Sequence, residues 1–160
     1  MGRFIGGWLM PHPPVVIPGV GRGRERDASH TLDAMREAAR ALVARNPRAL
    51  LLMTPHAPSF SHHFLVSSPE TLAGDLASFG DMKDRVSFPG CPSLAETITR
   101  EAARDGLSAG PLDEGQRRRF RLDGDLDHGA TVPLWFVAEA VREAECHSPC
   151  LVHLSISGSD

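Results

Sequence analysis

The segment Met10-Pro11-His12-Pro13-Pro14 follows the apolar run Phe4 to Met10 near the start of this 160-residue chain. The run is apolar on both faces and has the length of a buried strand, so the sequence predicts a β-strand there. Proline fixes its own φ angle and restricts the preceding residue, so the three prolines end the strand and hold an extended turn. His12 is therefore predicted at the carboxyl end of a strand, where open α/β sheets bind ligands.

A second proline-flanked histidine repeats this arrangement. The apolar run Leu50 to Met53 precedes Thr54-Pro55-His56-Ala57-Pro58. Apolar residues recur at helical spacing between the two histidines, at Leu32, Met35, Ala39, Leu42 and Val43. Strand, helix and strand in this order predict a right-handed βαβ unit, which brings both strand ends to one edge.

The duplicated pattern predicts that His12 and His56 belong to one metal site. Imidazole is a ligand of iron, zinc, copper and nickel, and two histidines with one carboxylate leave open positions on Fe(II). The alternative is coincidence, because the chain has eight histidines and most histidines in proteins are structural or lie on the surface. The spacing alone leaves both interpretations open.

The rest of the chain continues an α/β pattern. Strands are predicted at 64–67, around 107–112 and at 150–157, and helices at 93–104 and from Pro133 onward. Residues 69–92 are punctuated by glycine and proline and are expected to pass over the active-site edge. We therefore predict an α/β fold with a mostly parallel central sheet and helices on both faces, as one domain over residues 1–160.

Composition excludes several classes of function. The net charge is −3, and the basic run Arg117 to Arg121 has no continuation elsewhere, so it is interpreted as a solvated loop and no nucleic-acid partner is expected. No apolar run has the ~18–20 residues of a membrane span, and the N-terminus lacks a signal-peptide pattern. Three cysteines are an odd number that does not indicate a disulfide framework, so a cytoplasmic location is predicted.

A third histidine lies in Leu126-Asp127-His128-Gly129, a tight turn before a strongly apolar helix. With it, three segments resemble one family: MPHPPVVIPGVGRG (10–23), TPHAPSF (54–60) and DHGATVPLWF (127–136). The chain is similar to the catalytic, B-type subunit of class III extradiol ring-cleavage dioxygenases. Within that family it looks like the branch that can be fused to an AMMECR1 domain in the AmmeMemoRadiSam system. The likeness extends from about residue 4 to the end.

The resemblance implies a site and a reaction. The histidines of the first two segments, His12 and His56, would bind non-haem Fe(II), and His128 would line the substrate pocket. Asp127, its neighbour in the sequence, is a second candidate catalytic residue that the resemblance itself does not assign. The implied reaction is cleavage of a catecholic aromatic ring by O₂. An AMMECR1-domain protein is the implied partner, and homo-oligomer formation is left open.

The chain also departs from the family pattern. Family members carry a catalytic histidine and a metal-binding glutamate in a later part that has no counterpart before Asp160. We therefore expect a domain incomplete at its C-terminus that binds Fe(II) weakly and does not act on catechols alone, unless Asp127 or Asp160 supplies a third ligand. Two alternatives are a zinc-dependent hydrolase or lyase with Asp127 as third ligand, and a non-catalytic module beside the AMMECR1 partner.

Overall fold

The computed structural model describes residues 2–119 and 126–156. Its strands are β1 (Ala49–Thr54), β2 (Phe64–Ser67), β3 (Thr71–Leu76), β4 (Asp81–Pro89), β5 (Ala109–Gly110) and β6 (Cys150–Ser155). Its helices are α1 (Pro18–Gly21), α2 (Ser29–Ala44), α3 (Pro92–Arg104), α4 (Glu114–Arg119) and α5 (His128–Glu143). Short 3₁₀ turns occupy Pro14–Val16, Arg24–Ala28 and Ala77–Phe79.

The central sheet is mostly parallel, as predicted. Its four strands lie in the order β1-β6-β2-β5. The β1–β6 and β2–β5 pairs are parallel, whereas β2 and β6 are antiparallel. The last predicted strand is thus an interior strand of the sheet, and its final predicted residue, Ser157, lies outside the described residues.

Helices cover both faces of this sheet. Neighbouring residues of a strand point to opposite faces, and on β6 both Leu151 and Val152 are fully buried. Leu151 belongs to the main core with residues of α2 and α5, whereas Val152 belongs to a smaller cluster that includes residues of α3. The five apolar residues that predicted α2 are all buried in the main core.

The predicted N-terminal strand is absent, and that prediction was wrong. Residues 2–13 contain neither helix nor strand, and Phe4 is 87% exposed. Two features disfavour pairing here: Gly6-Gly7 loses much backbone entropy in a strand, and the prolines cannot donate to a ladder. Trp8 and Met10 of this run pack against the main core. Because the first strand is missing, the expected βαβ unit is not formed.

Residues 69–92 form an antiparallel hairpin of β3 and β4 that packs against α5. A Cβ atom on Gly74 would lie 2.3 Å from Thr131 Oγ1, so glycine permits the close approach of β3 to α5. The other strand, β4, contributes Asp84, whose Oδ1 accepts a hydrogen bond at 3.1 Å from Nε1 of Trp135 on α5. These contacts place the hairpin tip beside the N-terminal end of α5.

Cysteine pairing differs from the prediction. Cys91, before α3, is bonded to Cys150, the first residue of β6, and Cys146 is free and exposed. An odd count conceals one pair with one thiol left over, and only tertiary structure brings residues 59 positions apart together. The cytoplasmic prediction, which used this count, did not anticipate the bond.

Arg117 to Arg119 end the short helix α4 rather than lying in a loop, while Phe120 and Arg121 are outside the described residues. Within the part of the chain that the structure describes, no helix combines the length and hydropathy needed to cross a membrane.

Candidate metal centre

Three histidines from separate parts of the chain converge at one point. His12 Nε2 and His56 Nε2 are 3.0 Å apart, and the ring centroids of His56 and His128 are 4.1 Å apart. One ring nitrogen of each histidine lies within 4.8 Å of one ring nitrogen of both others. The predicted proximity of His12 and His56 is confirmed, although His12 does not follow a strand.

His12 is held by the turn that follows it. Val16 N donates to Pro13 O at 3.1 Å and Ile17 N donates to Pro14 O at 3.0 Å, which closes a 3₁₀ turn. Val16 and Ile17 are both fully buried in the main core. The prolines and this anchored turn therefore do the positioning that the sequence assigned to a strand.

His56 is positioned by Thr54, the last residue of β1. The buried Thr54 Oγ1 accepts a hydrogen bond from Ala57 N at 3.1 Å, which fixes the turn that carries His56. The same hydroxyl donates to Asp127 Oδ2 at 2.5 Å. One side chain thus connects the residue after His56 with the residue before His128.

Asp127 is the N-cap of α5. Its Oδ1 accepts from Ala130 N at 3.2 Å, and its Oδ2 lies 3.5 Å from His153 Nε2. Burial raises the pKa of this carboxyl, but hydrogen bonds from His153 and Thr54 outweigh it and lower the pKa to about 2. Asp127 is therefore an ionised group whose two oxygens are both engaged behind the histidines.

Close packing around residue 129 explains why the Asp-His-Gly turn has a glycine at this position. A Cβ atom there would lie 2.9 Å from Asp127 Oδ1 and 2.9 Å from the Cδ2 atom of His56. A side chain at position 129 would therefore push the His56 ring away from its present place. The absence of a side chain lets the start of α5 approach the His56 turn closely.

The surroundings of His128 favour the uncharged form of its imidazole. Burial lowers its pKa, and the neighbouring imidazoles of His56 and His12 lower it further, against an opposing effect of Asp127. A neutral imidazole has a free lone pair, which a metal ligand or a proton acceptor requires.

The donor set fits a bound metal ion. Two imidazole nitrogens bound to one ion at about 2.0–2.1 Å lie about 2.8–3.0 Å apart at an octahedral angle and about 3.3–3.4 Å apart at a tetrahedral angle. The observed His12–His56 separation of 3.0 Å falls within this range. His56 is exposed while His12 and His128 are half-buried, so a small molecule can reach the cluster.

Three residues around the site were not anticipated from the sequence. His153 lies buried on β6, Thr54 connects two turns, and Phe79 packs edge-on against the His128 ring with centroids 5.1 Å apart. The signal for His153 was a single ionisable residue inside an apolar strand, which indicates a buried partner.

The fold and the histidine cluster together define an α/β domain with a candidate metal centre. The chain belongs to the family described as the catalytic LigB subunit of aromatic ring-opening dioxygenase, whose model matches residues 6–155. It is also similar to Protein CA_C1420 of Clostridium acetobutylicum, with 25% identity over 138 residues that cover 86% of this chain. The chain spans 30% of the length of that relative.

Proposed function

We propose that this chain takes part in extradiol cleavage of a catecholic aromatic ring by O₂ at a non-haem Fe(II) centre. The observation that carries the proposal is the convergence of His12, His56 and His128 in a member of the aromatic ring-opening dioxygenase family. The family assignment indicates the class of reaction, and the three histidines form the candidate metal site at which it would occur.

The proposal gives the three histidines different tasks. His12 and His56, whose Nε2 atoms are 3.0 Å apart, hold the metal ion. When bound, Fe(II) supplies the redox chemistry by which O₂ reacts with the ring. His128 accepts a proton from a substrate hydroxyl at its free ring nitrogen, because it is neutral and stands beside the two ligands.

Asp127 acts through His128 rather than as a ligand in this proposal. Its carboxylate accepts hydrogen bonds from Thr54 and Ala130 and lies against His153. Both of its oxygens are engaged by these partners, so in this proposal its task is to fix the start of α5 and, with it, the position of His128. This revises its expected place among the catalytic residues.

A zinc-dependent hydrolase or lyase is the second candidate, and one observation favours it. Three nitrogen donors within 4.8 Å of one another match the three-histidine type of catalytic zinc site, in which the fourth position holds water. In that case His128 would be a ligand rather than a base.

The two candidates are separated by metal content and oxygen uptake. We would purify the protein without oxygen, load it with Fe(II) or Zn(II), and measure uptake of O₂ with catechols such as protocatechuate. Oxygen consumption with Fe(II) supports the dioxygenase, whereas tight zinc binding without any oxygen consumption supports the alternative.

Single substitutions test the separate roles. We expect His12→Ala and His56→Ala to lose bound metal, and His128→Gln to keep the metal and lose turnover. His147→Ala is the matched control, since His147 is exposed beyond the far end of the 16-residue helix α5. Loss of metal from His128→Gln would instead make His128 a ligand.

The AMMECR1-domain partner and the cytoplasmic location are part of the proposal through sequence resemblance and composition alone. Co-purification of this chain with an AMMECR1-domain protein from the same cell would test the partner. A complex without oxygen uptake would favour the non-catalytic module.

A further inference from the structure

The tip of the β3–β4 hairpin overhangs the histidine cluster. Phe79 lies in the 3₁₀ turn Ala77–Phe79 between the two strands, and its ring meets the His128 ring at an interplanar angle of 61°. The centroid separation of 5.1 Å is that of an edge-to-face aromatic contact. Part of Phe79 nevertheless remains open to solvent, since the residue is 42% exposed.

Hydrogen bonds within the hairpin fix the backbone turn that carries this ring. Ala77 N donates to Asp75 Oδ1 at 3.1 Å, and Gly80 N donates to Ala77 O at 2.9 Å. Gly80 has a φ of 85°, a conformation that favours glycine. The turn that carries Phe79 is therefore closed from both sides.

A further bond connects the tip to the segment that follows His12. Arg22 Nη2 donates to Gly80 O at 2.9 Å, and Arg22 lies at the end of α1. On the opposite side, the bond between Trp135 and Asp84 holds the hairpin to α5. The hairpin is thus attached to two of the three chain segments that bring histidines to the site, those of His12 and His128, so the backbone of Phe79 is held near the cluster.

A partly exposed phenylalanine beside the candidate metal centre can bind the aromatic ring of a ligand. Leaving apolar area in water is unfavourable, and an aromatic ring of a ligand can cover it by stacking or by an edge contact. A catechol bound to a metal ion at His12 and His56 would place its own ring next to His128, and therefore next to Phe79.

We infer that Phe79 is a specificity-determining residue that forms one wall of the pocket for the aromatic substrate. This inference rests on the proposed ring-cleavage function. Phe79 contacts the substrate ring and not the metal, so it affects the binding of the ring more than the chemistry at the centre.

The test compares Phe79→Ala and Phe79→Leu with Met82→Ala. Met82 is an apolar residue of β4 on the same hairpin, 83% exposed, and therefore a matched control. Binding of 4-nitrocatechol to the zinc-loaded protein is measured by its absorbance change, and metal affinity is measured separately by calorimetry. If the iron-loaded protein turns over, oxygen uptake also gives KM and kcat; if it does not, binding of 4-nitrocatechol alone decides the outcome.

We expect both Phe79 variants to raise the dissociation constant of 4-nitrocatechol and the KM by about 3–10-fold, the size of one aromatic contact. The metal affinity and kcat of both Phe79 variants should stay within twofold of those of the original protein. The Met82→Ala variant should bind 4-nitrocatechol within twofold of the original dissociation constant. Unchanged 4-nitrocatechol binding in both Phe79 variants overturns the inference and leaves the proposed function standing. A parallel loss of metal affinity also overturns it, because Phe79 would then support the metal site. If the unaltered protein binds metal but no catechol, the proposed function and this inference both fall.

Discussion

The hydroxyl of Thr54 donates a hydrogen bond of 2.5 Å to the carboxylate of Asp127, across 73 positions of the chain. This bond joins the end of β1 to the start of α5 directly behind the histidines. Because Thr54 also accepts from Ala57 N, the turns that carry His56 and His128 are held in register by one buried side chain.

We predict that Thr54→Val weakens metal binding. Valine has nearly the same shape but removes the hydroxyl, which leaves the buried Ala57 N–H and one oxygen of Asp127 without this partner. Outer residues that orient metal ligands commonly affect affinity about 10–100-fold, and we expect a loss of about tenfold or more. The measurement is calorimetric titration with Zn(II). Thr54→Ser keeps the hydroxyl and should recover most of the affinity; equal losses in both variants would argue against the hydrogen bonds.

We predict that Gly129→Ala also lowers metal affinity. Alanine favours helix over glycine by about 1 kcal/mol, so local propensity alone would make this change stabilising. A Cβ atom would lie 2.9 Å from the His56 ring, however, and would displace it. Gly7→Ala is the control, since a Cβ atom there would meet nothing within 4 Å apart from its neighbours in the chain. Zinc affinity equal to that of the unaltered protein would show that His56 adjusts without cost.

Asp127 should make the free energy of unfolding depend on pH in the acid range. Its pKa in the folded protein is about 2, below the ordinary value of 3.8. Its stabilising effect is therefore complete above about pH 4 and is lost as the pH falls through about 2. The difference corresponds to about 2 kcal/mol of unfolding free energy.

The variant that tests this prediction is Asp127→Asn, because asparagine can still cap a helix. Urea unfolding of the metal-free protein at pH 6 should show the variant less stable, by about 2 kcal/mol at most. The two curves should converge as the pH approaches 2. A constant difference at every pH would mean that the charge of Asp127 contributes nothing.

Reduction should destabilise the protein through the Cys91–Cys150 bond. The bond closes a loop over a sequence separation of 59 residues, for which unfolded-chain entropy gives about 4 kcal/mol. We expect a reducing agent or Cys150→Ser to lower the melting temperature, while Cys146→Ser leaves it unchanged. Thiol titration of the unfolded, unreduced protein should find one reactive group per chain. Three reactive groups would contradict the bond.

Much of the framework was readable from local sequence. The spacing of Leu32, Met35 and Ala39 predicted α2 because a helical face must be buried every three to four residues. The proximity of His12 and His56 was predicted from a βαβ unit that is not formed, so the structure confirms the proximity but not the reason given for it. The spacing of α2 and the mostly parallel α/β class, in contrast, followed from apolar runs and turn residues. These features depend on neighbours within a few residues, so a single sequence contains them.

Tertiary structure decided the rest, because the deciding contacts join distant positions. A strand needs a partner as well as apolar residues, and Phe4 to Met10 does not have one among the described residues. The hydrogen bond from Thr54 to Asp127 could not be predicted from the sequence, because the two residues are 73 positions apart. Phe79 comes next to His128 only because the hairpin packs on α5. The sequence by itself determined which chemical groups and local elements are present, and packing alone determined which of those groups meet.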